Sequence, residues 1–312
     1  MPFKPHLHTH MIAFPHSRRL REEAEEDEEE TRGGGVHNRR YHRHHHHHHD
    51  TSPYKPLYEI SNAYLSNGYS VLYGAESIPN QTAKAKVVEN IQSATNTEEA
   101  QINISKGLLT VLNADLMYKE NANSRDILDF WYSNVSKIQR KLQKRTIKGI
   151  MMFSAPDPYL KRDRYDIFRM FEEQMGKIFP TKVGMICWYK EKWLSKLSLA
   201  SFISVLINHK YTIYNDWKYK ELDINEIIHL ISNGIDKKLG EGSATLLFQT
   251  MKTVYKLNQD IVVSKPAVFE DKLKRLLGNS DDDANSVIYS IFEEIIKEVA
   301  YSRKKDTSSI KD

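Results

Sequence analysis

The chain has 312 residues, a formal net charge of +4 and 28% charged residues, enough length for two ordinary domains and too mild a basicity to mark a nucleic-acid binder by itself. Its single cysteine excludes an internal disulfide and fits a reducing cytosol. No apolar run approaches the roughly 18 residues of a membrane span, and the N-terminus lacks the apolar core of a signal peptide, so the expectation is a soluble cytoplasmic protein without membrane contact.

Residues 1–53 differ from everything after them. Glu22 to Glu30 is almost wholly acidic, Gly33 to Gly35 is a glycine run, and His44 to His49 is a six-histidine run. Twelve of the fourteen histidines fall here. So few apolar residues cannot offset the entropy of ordering, which predicts a disordered tail. Three readings of the histidine run stand side by side: a purification tag, a natural low-complexity tract or mis-set start, and a metal-binding tract without fixed geometry.

From residue 54 the pattern becomes periodic. Tyr69 to Tyr73 reads as a strand, and Pro79 opens a helix with Ala83, Val87, Val88 and Ile91 inward. Ile102 to Met117 holds two apolar runs, INI and LLTVL, read as strand material. Ser124 is placed as the N-cap of a helix with Ile127, Trp131, Val135, Ile138 and Leu142 on one face. Lys148 to Ser154 is a buried-type strand, and Arg164 to Ile178 is helical with Phe168, Phe171, Met175 and Ile178 inward.

Thr181 to Trp217 follows. Val183 to Tyr189 is too short for a stable helix and too apolar for a half-wet edge. Leu199, Phe202, Ile203 and Leu206 then line a helix of about four turns, and Tyr211 to Tyr214 returns to strand character. Alternation of this kind predicts a three-layer α/β domain over 54–221 with a mostly parallel sheet. Ligands of such sheets bind beyond the carboxyl ends of the strands. Those ends carry Tyr73, Glu76, Ser154, Asp157, Cys187 and Tyr189.

These residues resemble a known family. LSNGYSVLY (Leu65 to Tyr73), GLLTVLNADLMY (Gly107 to Tyr118), DILDFWYSNV, MICWYKEKW (Met185 to Trp193) and LINHKYTIYN (Leu206 to Asn215) are similar, over residues 57 to 220, to the MEDS sensory domain. The resemblance implies a RecA-like fold without an evident ATPase apparatus and a sensing role, with His209 beside the ligand pocket. Two departures are visible. Nothing before Leu57 supplies the family's histidine-led opening strand convincingly, because a charged tail separates HMIAF (His10 to Phe14) from the domain. Ala155 and Pro156 stand where the family carries a strand-end glutamate.

Residues 222–302 read as a small all-α bundle joined by a short linker near Lys220 to Asp223, with a charged tail over 303–312. Ile224, Ile227, Ile228, Ile231 and Ile235 form the first stripe, and Gly240-Glu-Gly242 breaks it. Leu247, Met251, Val254 and Leu257 form the second. Ser264 with Pro266 starts a third helix carrying Phe269, Leu273 and Leu276, which Gly278 ends. Asp281 to Asp283 starts a fourth carrying Ile288, Ile291, Ile295 and Val299. LGEGSATLLFQTM, PAVFEDKLKRLLG and SVIYSIFEEIIKEV resemble the archaeal output domain named after Nitrosopumilus, which implies contact with a protein partner.

No G-x-x-x-x-G-K-[ST] loop, H-E-x-x-H or paired C-x-x-C occurs, so the motifs supply no phosphate cradle, no cofactor and no ordered metal site. Cys187 reads as a core thiol or a ligand contact, and His209 as a helix-end cap or a pocket residue. The basic runs Lys137 to Lys148 and Arg303 to Lys305 read as solvated faces, with nucleic acid unsupported as a partner. The expectation is a non-enzymatic sensor of a small molecule or partner, acting in signal transduction or transcription regulation. The alternatives are a RecA-like nucleotide-binding ATPase and a scaffold without ligand.

Overall fold

The computed structural model describes residues 10–13, 55–75, 81–94, 97–114, 117, 119, 121–143, 146–175, 182–213, 219–278 and 281–301. Strands β1 (His10–Ala13), β2 (Ser70–Ala75), β3 (Leu109–Asn113), β4 (Ile150–Ser154), β5 (Val183–Trp188), β6 (Tyr211–Ile213) and β7 (Tyr219–Glu221) form one sheet in the order β3-β2-β4-β5-β1-β6-β7. Every neighbouring pair is parallel except β6 with β7. Every residue of β4 and β5 is buried, as expected where helices cover both faces of a sheet.

The connecting helices on the first side are α1 (Lys55–Ser66), α2 (Gln81–Ala94) and α3 (Glu98–Ser105). Those on the other are α4 (Ser124–Leu142), α5 (Asp157–Lys161), α6 (Tyr165–Met175), α7 (Glu191–Leu194) and α8 (Leu199–Asn208). Two consecutive residues of β2 fix the two sides, because successive strand side chains point to opposite faces. The Tyr73 ring stacks on Phe153 at 5.7 Å and lies 6.1 Å from Tyr58 of α1. A Cβ on Gly74 would meet Trp131 of α4 at 2.8 Å. The helix α4 is held at its start by a capping box: Asn123 accepts from the Asp126 amide at 3.0 Å, and the Asp126 carboxylate accepts from the Asn123 amide at 3.3 Å. Its five inward residues, Ile127, Trp131, Val135, Ile138 and Leu142, are all buried.

Between Ile224 and Tyr301 the elements among the described residues are all helices: α9 (Ile224–Leu239), α10 (Ser243–Tyr255), α11 (Ile261–Ser264), α12 (Pro266–Leu277) and α13 (Asp281–Tyr301). Gly234 lets α9 approach α13 closely. A Cβ there would overlap the Ile295 side chain and press on its backbone nitrogen and Cα at 3.1 and 3.2 Å. This segment also seats on α8, where Phe202 and Phe292 lie 5.2 Å apart. Among the described residues, no helix is long and apolar enough to cross a membrane.

Several expectations change. His10–Ala13, assigned to the tail, is a strand pairing β5 on one side and β6 on the other. Its partners are some 175 and 200 residues away in the chain, so the acidic and histidine-rich stretch after it hid its place. The rest of the expected tail, Glu76, Ile178, Tyr214 and the side chain of Ala83 lie outside the described residues. The run INI belongs to α3, since Glu98 and Glu99 open a helix there and Ala100 is its buried contact. The N-cap is Asn123 and not Ser124. Helix α8 has ten residues, short of four turns. The expected linker around Lys220 contains β7, antiparallel to β6. Ile224 and Val254 are exposed, lying outside the buried stripes of their helices.

Candidate functional site

The sheet brings Ser154, Cys187, Tyr189, Asp157 and His209 to one end and one face. Ser154 and Cys187 are register partners in β4 and β5. Asp157 opens α5 just beyond β4, and its carboxylate accepts from the Lys190 amide at 3.0 Å, tying together the chain segments that leave β4 and β5. Tyr189 follows β5, with its ring edge-on to Phe168 at 6.2 Å and to His209 at 6.3 Å. All five residues are buried. Tyr73 is not among them. It stacks with Phe153 against α1, on the opposite face, because it stands one residue out of phase with Gly74 and Ser154.

A residue absent from the sequence expectations joins the group. Glu172 of α6 is 2% exposed and faces the same point. One carboxylate oxygen accepts from the Tyr189 hydroxyl, and the other lies 3.4 Å from His209 Nε2. His209 is the C-cap of α8, and its Nδ1 lies 2.6 Å from the Val205 carbonyl oxygen. A carbonyl only accepts, so Nδ1 carries a hydrogen and Nε2 is the nitrogen turned to Glu172. The ligand atoms of Glu172, Cys187 and His209 all lie within 4.8 Å of one another.

Burial dominates the electrostatics. It pushes the Glu172 carboxyl up to about 8, opposed by the hydrogen bond from Tyr189. At neutral pH the carboxyl therefore favours its protonated, uncharged form. Burial, with the Glu172 charge second, pushes the Cys187 thiol well up, and the same two causes raise the Tyr189 hydroxyl. A nucleophilic Cys–His arrangement is disfavoured here, since burial holds the thiol protonated and its hydrogen bond is with Tyr189.

Glu172 also reaches a cleft of about 540 Å³ between α6, α8 and the first turn of α12, within the size range of small-molecule sites. Phe168 and Arg169 line one wall, Ala200 and Val205 a second, and Lys265 and Val268 the third. Above it, the Glu270 carboxylate of α12 accepts the Ala200 amide at 2.8 Å and pairs with Lys274 at 3.1 Å. Ser198 caps the same helix start through the Ser201 amide at 3.1 Å. Together Ser198 and Glu270 take two of the free amides at the N-terminus of α8, where the helix dipole favours an acid.

Compared with protein-family models, curated proteins and solved structures, the chain matches none of them.

Proposed function

We propose that the chain is a non-enzymatic sensor. A MEDS-like, RecA-like α/β unit takes up a small molecule or partner, and a helical output bundle passes the event on in signal transduction or transcription regulation. The observation that carries this reading is the position of α8. Its first turn is held by Glu270 of the C-terminal helices, and its last residue leads into His209 in the buried cluster. The cleft opens along the same helix and is walled by both parts of the chain. An occupant that turns or shifts α8 therefore acts on the Glu270 contact, which supplies the differential interaction that coupling between two sites requires.

Screening small molecules against melting of the full chain tests the reading. A binding compound raises the melting temperature and changes amide exchange in both α8 and α12. In Glu270→Ala the compound still binds, while the response of α12 falls away. Sensing loses its support when no compound or cell-extract fraction alters either melting or exchange.

A further inference from the structure

We propose that Glu172, Cys187 and His209 form a binding site for one divalent transition-metal ion of the zinc type. This inference deepens the sensing reading by naming a ligand class, and rests on that reading only for its effect on the output helices.

The three side chains come from three elements, α6, β5 and the end of α8, and converge at a buried point. A carboxylate, a thiolate and an imidazole are a donor set for zinc or cobalt; hard cations such as calcium and magnesium prefer all-oxygen sites. The 3.4 Å between His209 Nε2 and the Glu172 oxygen matches the roughly 3.4 Å between two ligands each about 2.1 Å from a tetrahedral ion. The thiol lies within 4.8 Å of both.

The surroundings suit a metal site. His209 Nδ1 donates to the Val205 carbonyl, which fixes the tautomer and turns Nε2 toward the Glu172 carboxylate. The Tyr189 hydroxyl holds the other carboxylate oxygen, orienting Glu172 from behind. A dication offsets the charge of the thiolate and carboxylate, which burial otherwise keeps protonated. Glu172 is the one member of the three that also lines the cleft.

Cobalt(II) added to the full chain tests the proposal. Cys187 is the only cysteine, so a thiolate-to-cobalt charge-transfer band reports this site alone, and the six-histidine run cannot produce it. The expected result is a band that saturates at one ion per chain and is absent in Cys187→Ser. Glu172→Gln and His209→Gln should each weaken binding by about tenfold or more, and Tyr189→Phe by about tenfold. Glu172→Gln removes a buried acid while keeping its shape, so it remains a folded control; circular dichroism checks each variant. Absence of the band in the parent chain overturns the proposal, as does a band of unchanged affinity in Glu172→Gln. A band without any exchange response in α12 upholds the ion site and removes the sensing role. A cleft compound that couples to α12 in a chain without the band does the reverse.

Discussion

At the scale of single residues, Glu172 sets the pH response. Its carboxyl ionises near 4.5 in the unfolded chain and at about 8 when folded. Below 4.5 both states hold the proton. Between the two values only the folded state holds it, so raising the pH favours unfolding, by at most about 1.4 kcal/mol per pH unit for one proton. In chelator-treated protein, the resistance of the parent to urea should therefore fall relative to Glu172→Gln as pH rises through this window. A gap that narrows would mean that His209 holds Glu172 ionised. Cys187 is fully buried with its thiol held protonated. A thiol reagent should react with it only on the timescale of unfolding, and rapid labelling of the native chain would contradict its burial. Cys187 and His209 drew notice in the sequence because they are scarce residue types outside the first 53. Glu172 did not, although it sits four residues after Phe168 and three before Met175, on the face those residues bury. An acid at an apolar-stripe position was the available signal. Metal spacing patterns were silent because positions 172, 187 and 209 meet only through the sheet.

At the scale of elements, two contacts make quantitative demands. Gly234→Ala forces a methyl against Ile295, including its backbone. Overpacking of this kind should cost about 1–3 kcal/mol in chemical denaturation, and a neutral outcome would mean that α9 and α13 can separate freely. Asn123→Ala removes one half of the capping box on α4 and should cost about 1 kcal/mol. Helix α4 was readable in the sequence because five large apolar residues recur at helical spacing; β4 and β5 were readable because a continuous apolar run of that length suits a strand covered on both faces. Strand β7 was not, since Tyr219–Glu221 has no apolar pattern and forms only by pairing with β6. Strand β1 is four residues long, and neither its local composition nor its neighbours announce partners that lie beyond residue 180.

For the molecule as a whole, β1 is the strand that joins two portions of the sheet: β3-β2-β4-β5 on one side and β6-β7 on the other. Deleting residues 1–14 should remove cooperative melting or lower its midpoint sharply. Deleting the acidic and histidine-rich residues 21–50 should leave melting largely intact, and equal behaviour of the two deletions would contradict the placement of β1. The same placement bears on synthesis. His10 leaves the ribosome before its partner Met185, which follows 175 residues later. At typical elongation rates this is a wait on the order of 10–30 s. Through that interval β2, β3 and β4 can assemble, and β5 can join them, while the nascent chain carries an unmatched leading segment. The seam between β5 and β1 therefore lies inside the sheet and can close only once residue 188 has been made. If it is still open when β6 is made, β6 competes with β1 for the edge of β5, and slow maturation is the expected outcome.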